Sequence, residues 1–232
     1  MKQAGRVLDW RHAAGELVLI VVGILIALAA SEWQNDRAER RTEIALLEEL
    51  EHGLTTDITS LNGMLERYRG TEDRVSRLLG YMQAGGEYSD TLEAYFGAAY
   101  GFQSLDLNRA GYESLKSQGL DLVSDATLRS RIAQVYEQAY PRIEASVRME
   151  RNVVLEVLRP YFLRHFRNLR FGLSAEPIDY RALLADDEFL NLLDYRRQVV
   201  AQNHITRFTE AIPQLEALRT RIREALRADG GD

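Results

Sequence analysis

One unbroken apolar stretch, LVLIVVGILIALAA at Leu17–Ala30, stands out from the hydrophobic pattern of this chain. Residues 13–30 would form roughly 27 Å of helix, close to the ~30 Å hydrocarbon core of a bilayer. Glu16 near one end does not prevent insertion, because its carboxylate can reach the lipid headgroups. Trp33 follows where an interfacial aromatic residue is expected. The pattern predicts a transmembrane helix at residues 13–30, after a short tail at residues 1–12.

A cleaved signal peptide is the alternative interpretation of the same stretch. A basic leader precedes it, and Ala27-Leu28-Ala29 fits the small-x-small pattern of a cleavage site. Against cleavage, the long leader carries Asp9, and Glu16 adjoins the apolar stretch. The charged residues that follow also continue the helical pattern. These features favour a retained anchor, whereas a mature protein beginning at Ala30 would show that it is removed.

The apolar stretch has one face of small residues. Glu16, Gly23, Ala27 and Ala30 share this face, and Gly23-x-x-x-Ala27 is a spacing that lets membrane helices approach closely. We expect these four positions to pack against another helix, in a second copy or in a partner membrane protein. The simpler interpretation is that glycine and alanine are common in membrane helices, with Glu16 reaching the headgroups or pairing with His12.

Positive charge does not fix the orientation of the anchor, because the two flanks carry equal numbers of basic residues. They are Lys2, Arg6 and Arg11 before the stretch, and Arg37, Arg40 and Arg41 after it. The amino terminus tips the balance towards a cytoplasmic tail, and a long domain can translocate regardless of charge. We therefore expect residues 31–232 to lie outside the inner membrane, as a periplasmic domain.

The apolar spacing beyond the anchor predicts an all-α domain with three long helices and several short ones. The first helix continues from the anchor to Tyr68, and a second begins at a Thr71 cap. Short helices are expected from Asp90 to Tyr100 and over 110–118, the latter closed by Gly119.

The second half of the chain is predicted to contain two long helices separated by a loop. A cap at Ser124 starts the first, and prolines should kink both. Residues 168–177 form the loop, and Asp179 caps a brief turn after it. Asp186 or Asp187 starts the last helix. The proline positions are Pro141, Pro160 and Pro213. No strand pair is expected.

Composition narrows the possible functions. The chain has a net charge of −6, and its lack of a basic surface argues against nucleic-acid binding. It has no cysteine, which excludes disulfides, thiolate zinc sites and cysteine nucleophiles.

Three passages resemble a family of uncharacterised bacterial single-pass membrane proteins. They are GELVLIVVGILIALAASEW at the anchor, GYESLKSQG with the LDLVSDATLRSRI that follows, and the helix at 189–197. The resemblance implies an uncleaved anchor followed by a helical domain, and it carries no functional residues. Ala29-Ala30 departs from the bulkier residues usual in the family.

Two clusters are candidate sites of chemistry. Glu49 and His52 have the Glu-x-x-His spacing of di-iron bundles, but a second copy is missing and a solvated charged face explains the pair. The segment FLRHFRNLRF mixes aromatic residues with Arg164, Arg167 and Arg170, which can contact an anion or lipid headgroups. The simpler interpretation is a helix end whose arginines pair with carboxylates.

The sequence contains no phosphate-binding loop, dinucleotide fingerprint or nucleophile elbow. We therefore expect a non-enzymatic assembly or scaffold component without a cofactor, whose partners are the bilayer and a second copy or another membrane protein. A sensor whose helical domain binds a small ligand is the alternative. An enzyme that uses a metal at His52 is the least favoured function.

Overall fold

The computed structural model describes residues 10–229, with side chains at Leu17 and from Leu19 onwards. Residues 1–9 of the predicted tail and the closing Gly230-Gly231 lie outside the described residues. Helices make up 83% of the structure, which confirms the predicted all-α class. The α-helices are α1 (Trp10–Gln83), α2 (Glu93–Ala99), α3 (Ala110–Gln118), α4 (Ala126–Gln134), α5 (Tyr140–Asn152), α6 (Arg159–His165), α7 (Tyr180–Leu184), α8 (Asp187–Val199) and α9 (Thr206–Asp229).

Shorter elements connect these helices. Two 3-10 turns precede α2 and α4, and three π-helical turns join α4 to α5, α5 to α6, and α8 to α9. Two strands form an antiparallel hairpin after α6. The 3-10 turns are Asp90–Leu92 and Leu120–Leu122, the π-helical turns are Val135–Ala139, Val153–Leu158 and Val200–Ile205, and the strands are β1 (Phe166–Arg170) and β2 (Ser174–Pro177).

The chain divides into two units, Met1–Leu46 and Leu47–Asp232. In the first unit, the described side chains of the apolar stretch are all exposed. In the second unit, α1 buries the predicted stripe of apolar residues. Its members are Leu47, Leu50, Leu54, Ile58, Leu61, Leu65 and Tyr68. The apolar periodicity therefore located the buried face of α1 in this unit correctly.

The prediction of a separate helix beginning at Thr71 is wrong, because α1 continues to Gln83. The Thr71 hydroxyl donates to the Arg67 carbonyl one turn back, 3.1 Å away, which satisfies Thr71 within a helix. Apolar residues also continue at helical spacing beyond Tyr68, at Val75 and Leu79, so the buried stripe has no break.

Two more continuous helical segments, at residues 126–165 and 187–229, complete the three long helices that the sequence predicts. Proline lacks an amide N–H, so Pro141 and Pro160 cannot donate to the carbonyl four residues back. In each case that carbonyl falls in a π-helical turn directly upstream, and the helix resumes with the proline in its first turn. Pro213 lies inside α9.

Helix ends follow the predictions at most positions. Helix α3 covers Ala110–Gln118, and Gly119 after it has a positive φ of 112°. The carboxylates of Asp179 and Asp186 cap α7 and α8. The predicted cap at Ser124 is off by one residue, because Asp125 accepts from two backbone N–H groups of the first turn of α4.

The predicted loop at 168–177 is a β-hairpin, so the expectation of no strand pair is wrong. Arg167 pairs with Glu176 in register, and Gly172 turns the chain with a φ of 70°. Phe166 at the start of β1 stacks on Phe162 with 4.5 Å between ring centroids. Both rings are buried in an apolar cluster built around α2, α6 and α8. This packing holds a hairpin too short to show a clear alternation in sequence.

Gly97 on α2 permits the close packing of this hairpin. A Cβ atom at this position would overlap backbone atoms of Leu173 and Ser174. Gly80 on α1 is a matched contrast, because a Cβ there would meet nothing within 4 Å. The requirement for glycine at position 97 is therefore steric and does not arise from the helix itself.

We predict that Gly97→Ala lowers the free energy of unfolding by more than about 2 kcal/mol, because backbone must move to relieve the overlap. Gly80→Ala should raise it by up to about 1 kcal/mol through helix propensity. Urea unfolding of the full chain in mild detergent measures both. Equal effects of the two substitutions would contradict the packing of α2 against the hairpin.

Candidate functional site

The anchor residues predicted to pack against another helix lie in α1. Gly23, Ala27 and Ala30 are exposed, and a Cβ on Gly23 would meet nothing within 4 Å. The side chain of Glu16 lies outside the described residues. Helix α1 is long and apolar enough to cross a membrane, judged by length and composition. The structure leaves the described part of the small-residue face open, which is compatible with helix packing.

The three predicted anion-contacting arginines lie in two different elements. Arg164 is exposed in the last turn of α6, whereas Arg167 and Arg170 belong to β1. Arg167 donates a hydrogen bond to the Glu176 carboxylate. The same carboxylate accepts a second hydrogen bond from the Asn168 side-chain amide at 2.7 Å. The charge of Arg167 is thereby compensated within the hairpin, so the three arginines do not act as one cluster.

Glu49 and His52 are both exposed on α1. Among the described residues, no group of three or more metal-ligating side chains is placed to hold a metal ion.

The strongest concentration of buried charge was not predicted. Arg196 of α8 is 1% exposed and Glu150 of α5 is fully buried. Arg196 Nη2 donates to Glu150 Oε1 at 2.5 Å and to the Gly101 carbonyl at 2.7 Å. Tyr68 of α1 donates to the other carboxylate oxygen at 2.5 Å. One ion pair therefore ties together α1, α5, α8 and the segment after α2.

His204 completes this group, which we call the buried charge network: Tyr68, Glu150, Arg196 and His204. The imidazole stacks on the Tyr68 ring with centroids 4.4 Å apart, and Nε2 lies 3.7 Å from Glu150 Oε2. Burial lowers the pKa of His204 to about 4, so the ring is neutral at pH 7. Burial, followed by the Glu150 charge, raises the pKa of Tyr68, which stays a hydrogen-bond donor.

A second polar cluster lies about three turns before Tyr68 on α1. Asp57 is buried, and its carboxylate accepts from the Asn108 backbone N–H at 3.0 Å and the Tyr140 hydroxyl at 2.5 Å. Burial raises the pKa of Asp57 despite these bonds. Arg109 donates to Glu144 at 3.0 Å. These residues satisfy one another, so the cluster has a structural role.

An open cleft reaches the buried charge network. Its volume is about 200 Å³, and Tyr68, Glu150 and Arg196 form part of its wall together with Arg67 and Arg74 of α1. The Nε and Nη1 atoms of Arg196 are buried and have no hydrogen-bond partner. Buried donors are normally satisfied, so these two donors of a cation that lines the cleft call for an explanation.

A larger opening, of about 720 Å³, lies beside the hairpin. Its wall includes Arg167 and Glu176, which neutralise each other, and the Tyr180 hydroxyl already donates to the Gly86 carbonyl. Its principal charged pair is therefore already satisfied, and the smaller cleft is the better candidate site.

The sequence carried one signal for the buried charge network. His204 lies four residues after Val200 and four before Phe208, so it occupies an apolar stripe. Arg196 likewise lies between Leu193 and Val200 at helical spacing. A charged residue on an apolar stripe is either a buried partner or the edge of the stripe, and sequence alone does not separate these cases.

Comparison with known proteins identifies the family. Residues 16–194, more than half of the chain, match the model of a family of unknown function, DUF6090. The chain belongs to this family, as the resemblance to an uncharacterised family predicted. No curated protein and no solved structure matches it.

The lowered pKa of His204 predicts a pH-dependent stability. Between pH 6.5 and about 4 the unfolded chain binds a proton that the native chain does not, so stability is present above pH 6.5 and falls towards pH 4. The loss from this group should reach about 3 kcal/mol. The charged groups acting on His204 are Glu150, which favours protonation, and Arg196 and Arg207, which oppose it.

His204→Phe keeps a ring against Tyr68 and removes the titration. Urea unfolding from pH 7 to 4.5 should show a shallower loss of stability in this variant than in the wild type. Parallel pH profiles for the two proteins would contradict a neutral, buried His204.

Proposed function

We propose that this protein is a single-pass component of the bacterial inner membrane that assembles with a second copy or a partner membrane protein and has no enzymatic activity. The observation that carries the proposal is that every described apolar side chain from Leu17 to Ala30 on α1 is exposed. A helix with this composition and no buried face is stable in hydrocarbon and unstable in water.

The proposed topology places residues 1–12 in the cytoplasm and the helical domain in the periplasm. Support comes from the length of the domain, since long segments translocate regardless of charge. Trp33 lies just beyond the apolar stretch and is 57% exposed, with the Arg37 guanidinium 4.3 Å from its ring centroid. An aromatic residue paired with a cation suits the headgroup region.

The absence of enzymatic activity is supported by the state of the titratable groups. In the buried charge network, Tyr68 and Glu150 are committed to one another, and His204 is neutral and inaccessible. None of these three residues offers an exposed general base beside a nucleophile, which acid–base or covalent catalysis would require.

A sensor is the second candidate, and the cleft beside Arg196 favours it. A ligand in this cleft would contact Arg67, Tyr68 and Arg74, which belong to the helix that also carries the apolar stretch.

The lack of native cysteine allows a direct test of assembly. Ala27→Cys lies on the small-residue face, and Leu25→Cys lies on the opposite face of α1. In oxidised membranes we expect Ala27→Cys to form a disulfide-linked dimer and Leu25→Cys to remain monomeric. Gly23→Leu should abolish the Ala27→Cys crosslink by separating the helices.

Copurification from mild detergent tests for assembly with a different membrane protein, which the disulfide crosslink between two copies would not detect. Equal crosslinking at both cysteines, or a monomer without partners in detergent, would contradict the proposal. Recovery of a soluble protein that begins at Ala30 would contradict the retained anchor. A change in Ala27→Cys crosslinking when the cleft is occupied would favour the sensor over a static assembly component.

A further inference from the structure

The guanidinium of Arg196 uses only part of its hydrogen-bonding capacity. Arginine carries five N–H donors, and here Nη2 makes both protein contacts, to Glu150 and to the Gly101 carbonyl. Nε and Nη1 are buried without a partner, although Arg196 lines the open cleft. An unsatisfied buried donor on a cation is costly, and an acceptor oxygen in the cleft would relieve that cost.

Two other arginines line the cleft and, unlike Arg196, have no carboxylate partner among the described residues. Arg67 and Arg74 are exposed on α1 and form no ion pair within the described part of the chain. The neighbouring Arg69 and Arg77 on the same helix pair with Glu66 and Asp73. Helix α1 therefore provides acidic partners for Arg69 and Arg77, which lie outside the cleft, and none within its described length for the two arginines that line it.

The spacing of glycines on α1 leaves room for these two side chains. Gly63 and Gly70 each lie one turn before a cleft arginine. An added Cβ would lie 3.5 Å from Arg67 Nη1 at position 63 and 4.0 Å from Arg74 Nη2 at position 70. Helical side chains lean towards the N-terminus, so each guanidinium lies back over its glycine.

The charges and size of the cleft define what it can hold. Three arginines and one glutamate form its charged wall, so the lining is doubly positive in a chain of net charge −6. A volume of about 200 Å³ is smaller than the range of roughly 300–1,000 Å³ typical of drug-sized ligands. Guanidinium groups bind carboxylate and phosphate oxygens through paired N–H donors.

We propose that the cleft binds a small oxyanion with two negative charges, of the phosphate or dicarboxylate type, through Arg67, Arg74 and Arg196. Thr71, between the two α1 arginines, also lines the cleft. This site lies within residues 47–232 and goes beyond the proposed assembly function, because binding does not require a partner for the membrane helix.

Titration calorimetry of the full chain in mild detergent, with inorganic phosphate and succinate as probes, tests the site. Ionic strength is held constant with sodium chloride, since exposed charges are screened. We expect at least one probe to bind. Replacing Arg67 and Arg74 together by Gln should weaken binding by about tenfold or more.

The matched control replaces Arg69 and Arg77 together by Gln. This pair removes the same charge from the same helix and should leave the dissociation constant within about twofold of wild type, because these arginines are paired outside the cleft. Equal weakening by both double variants would show non-specific attraction and overturn the site. Failure of both probes to bind would also overturn it.

A second pair of variants tests the location without changing charge. Thr71→Met fills the cleft and should weaken binding, whereas Thr59→Met on an exposed turn of α1 should not. Both threonines make the same hydroxyl-to-carbonyl bond one turn back, so the loss within the helix is equal. Unchanged binding in folded Thr71→Met would place the anion elsewhere and overturn the proposal. These outcomes are independent of the cysteine crosslinks.

Discussion

The structure of the helical domain depends on one buried ion pair, Arg196 with Glu150. Removing two charges from water costs several kcal/mol per ion, and only close pairing with further hydrogen bonds compensates that cost. Here Tyr68 and the Gly101 carbonyl supply the further bonds. The long helical segments of the domain and the segment after α2 must therefore meet at one place and in one register.

His204 contributes in a different way. Its ring fills the space beside Tyr68 and stays neutral, so it adds packing without adding a third charge. A protonated imidazole there would face Arg196 and Arg207 as well as Glu150. Charge neutrality at this position allows the Arg196–Glu150 ion pair to stay balanced.

Much of the fold could be predicted from apolar spacing and capping residues. The buried face of α1 and the caps at Asp179 and Asp186 followed from local rules. The predictions of a helix break at Thr71 and of a loop at 168–177 were wrong, because the structure at both places depends on tertiary packing. A threonine can cap a helix or bond within one, and a short hairpin such as this one is formed by the aromatic cluster beneath Phe166.

The candidate site could be predicted less well. Glu150 and Arg196 are separated by two helices and the hairpin in sequence, and the apolar stripe around Arg196 does not say which carboxylate it meets. Which arginine is buried depends on the register between α5 and α8, which no local pattern contains. The exposed arginines of FLRHFRNLRF, in contrast, are conspicuous in the sequence through composition, and the strand pairing of Arg167 with Glu176 separates their roles.

The π-helical turns have a consequence for comparing members of this family. A π turn holds one more residue than the α-helical turn it replaces, so the buried stripe changes phase there while the helix continues. A homologue lacking that residue would keep the same core on both sides. In alignments of the family, single-residue gaps therefore belong inside Val135–Ala139, Val153–Leu158 or Val200–Ile205, where gaps are usually forbidden, and not in the connecting loops.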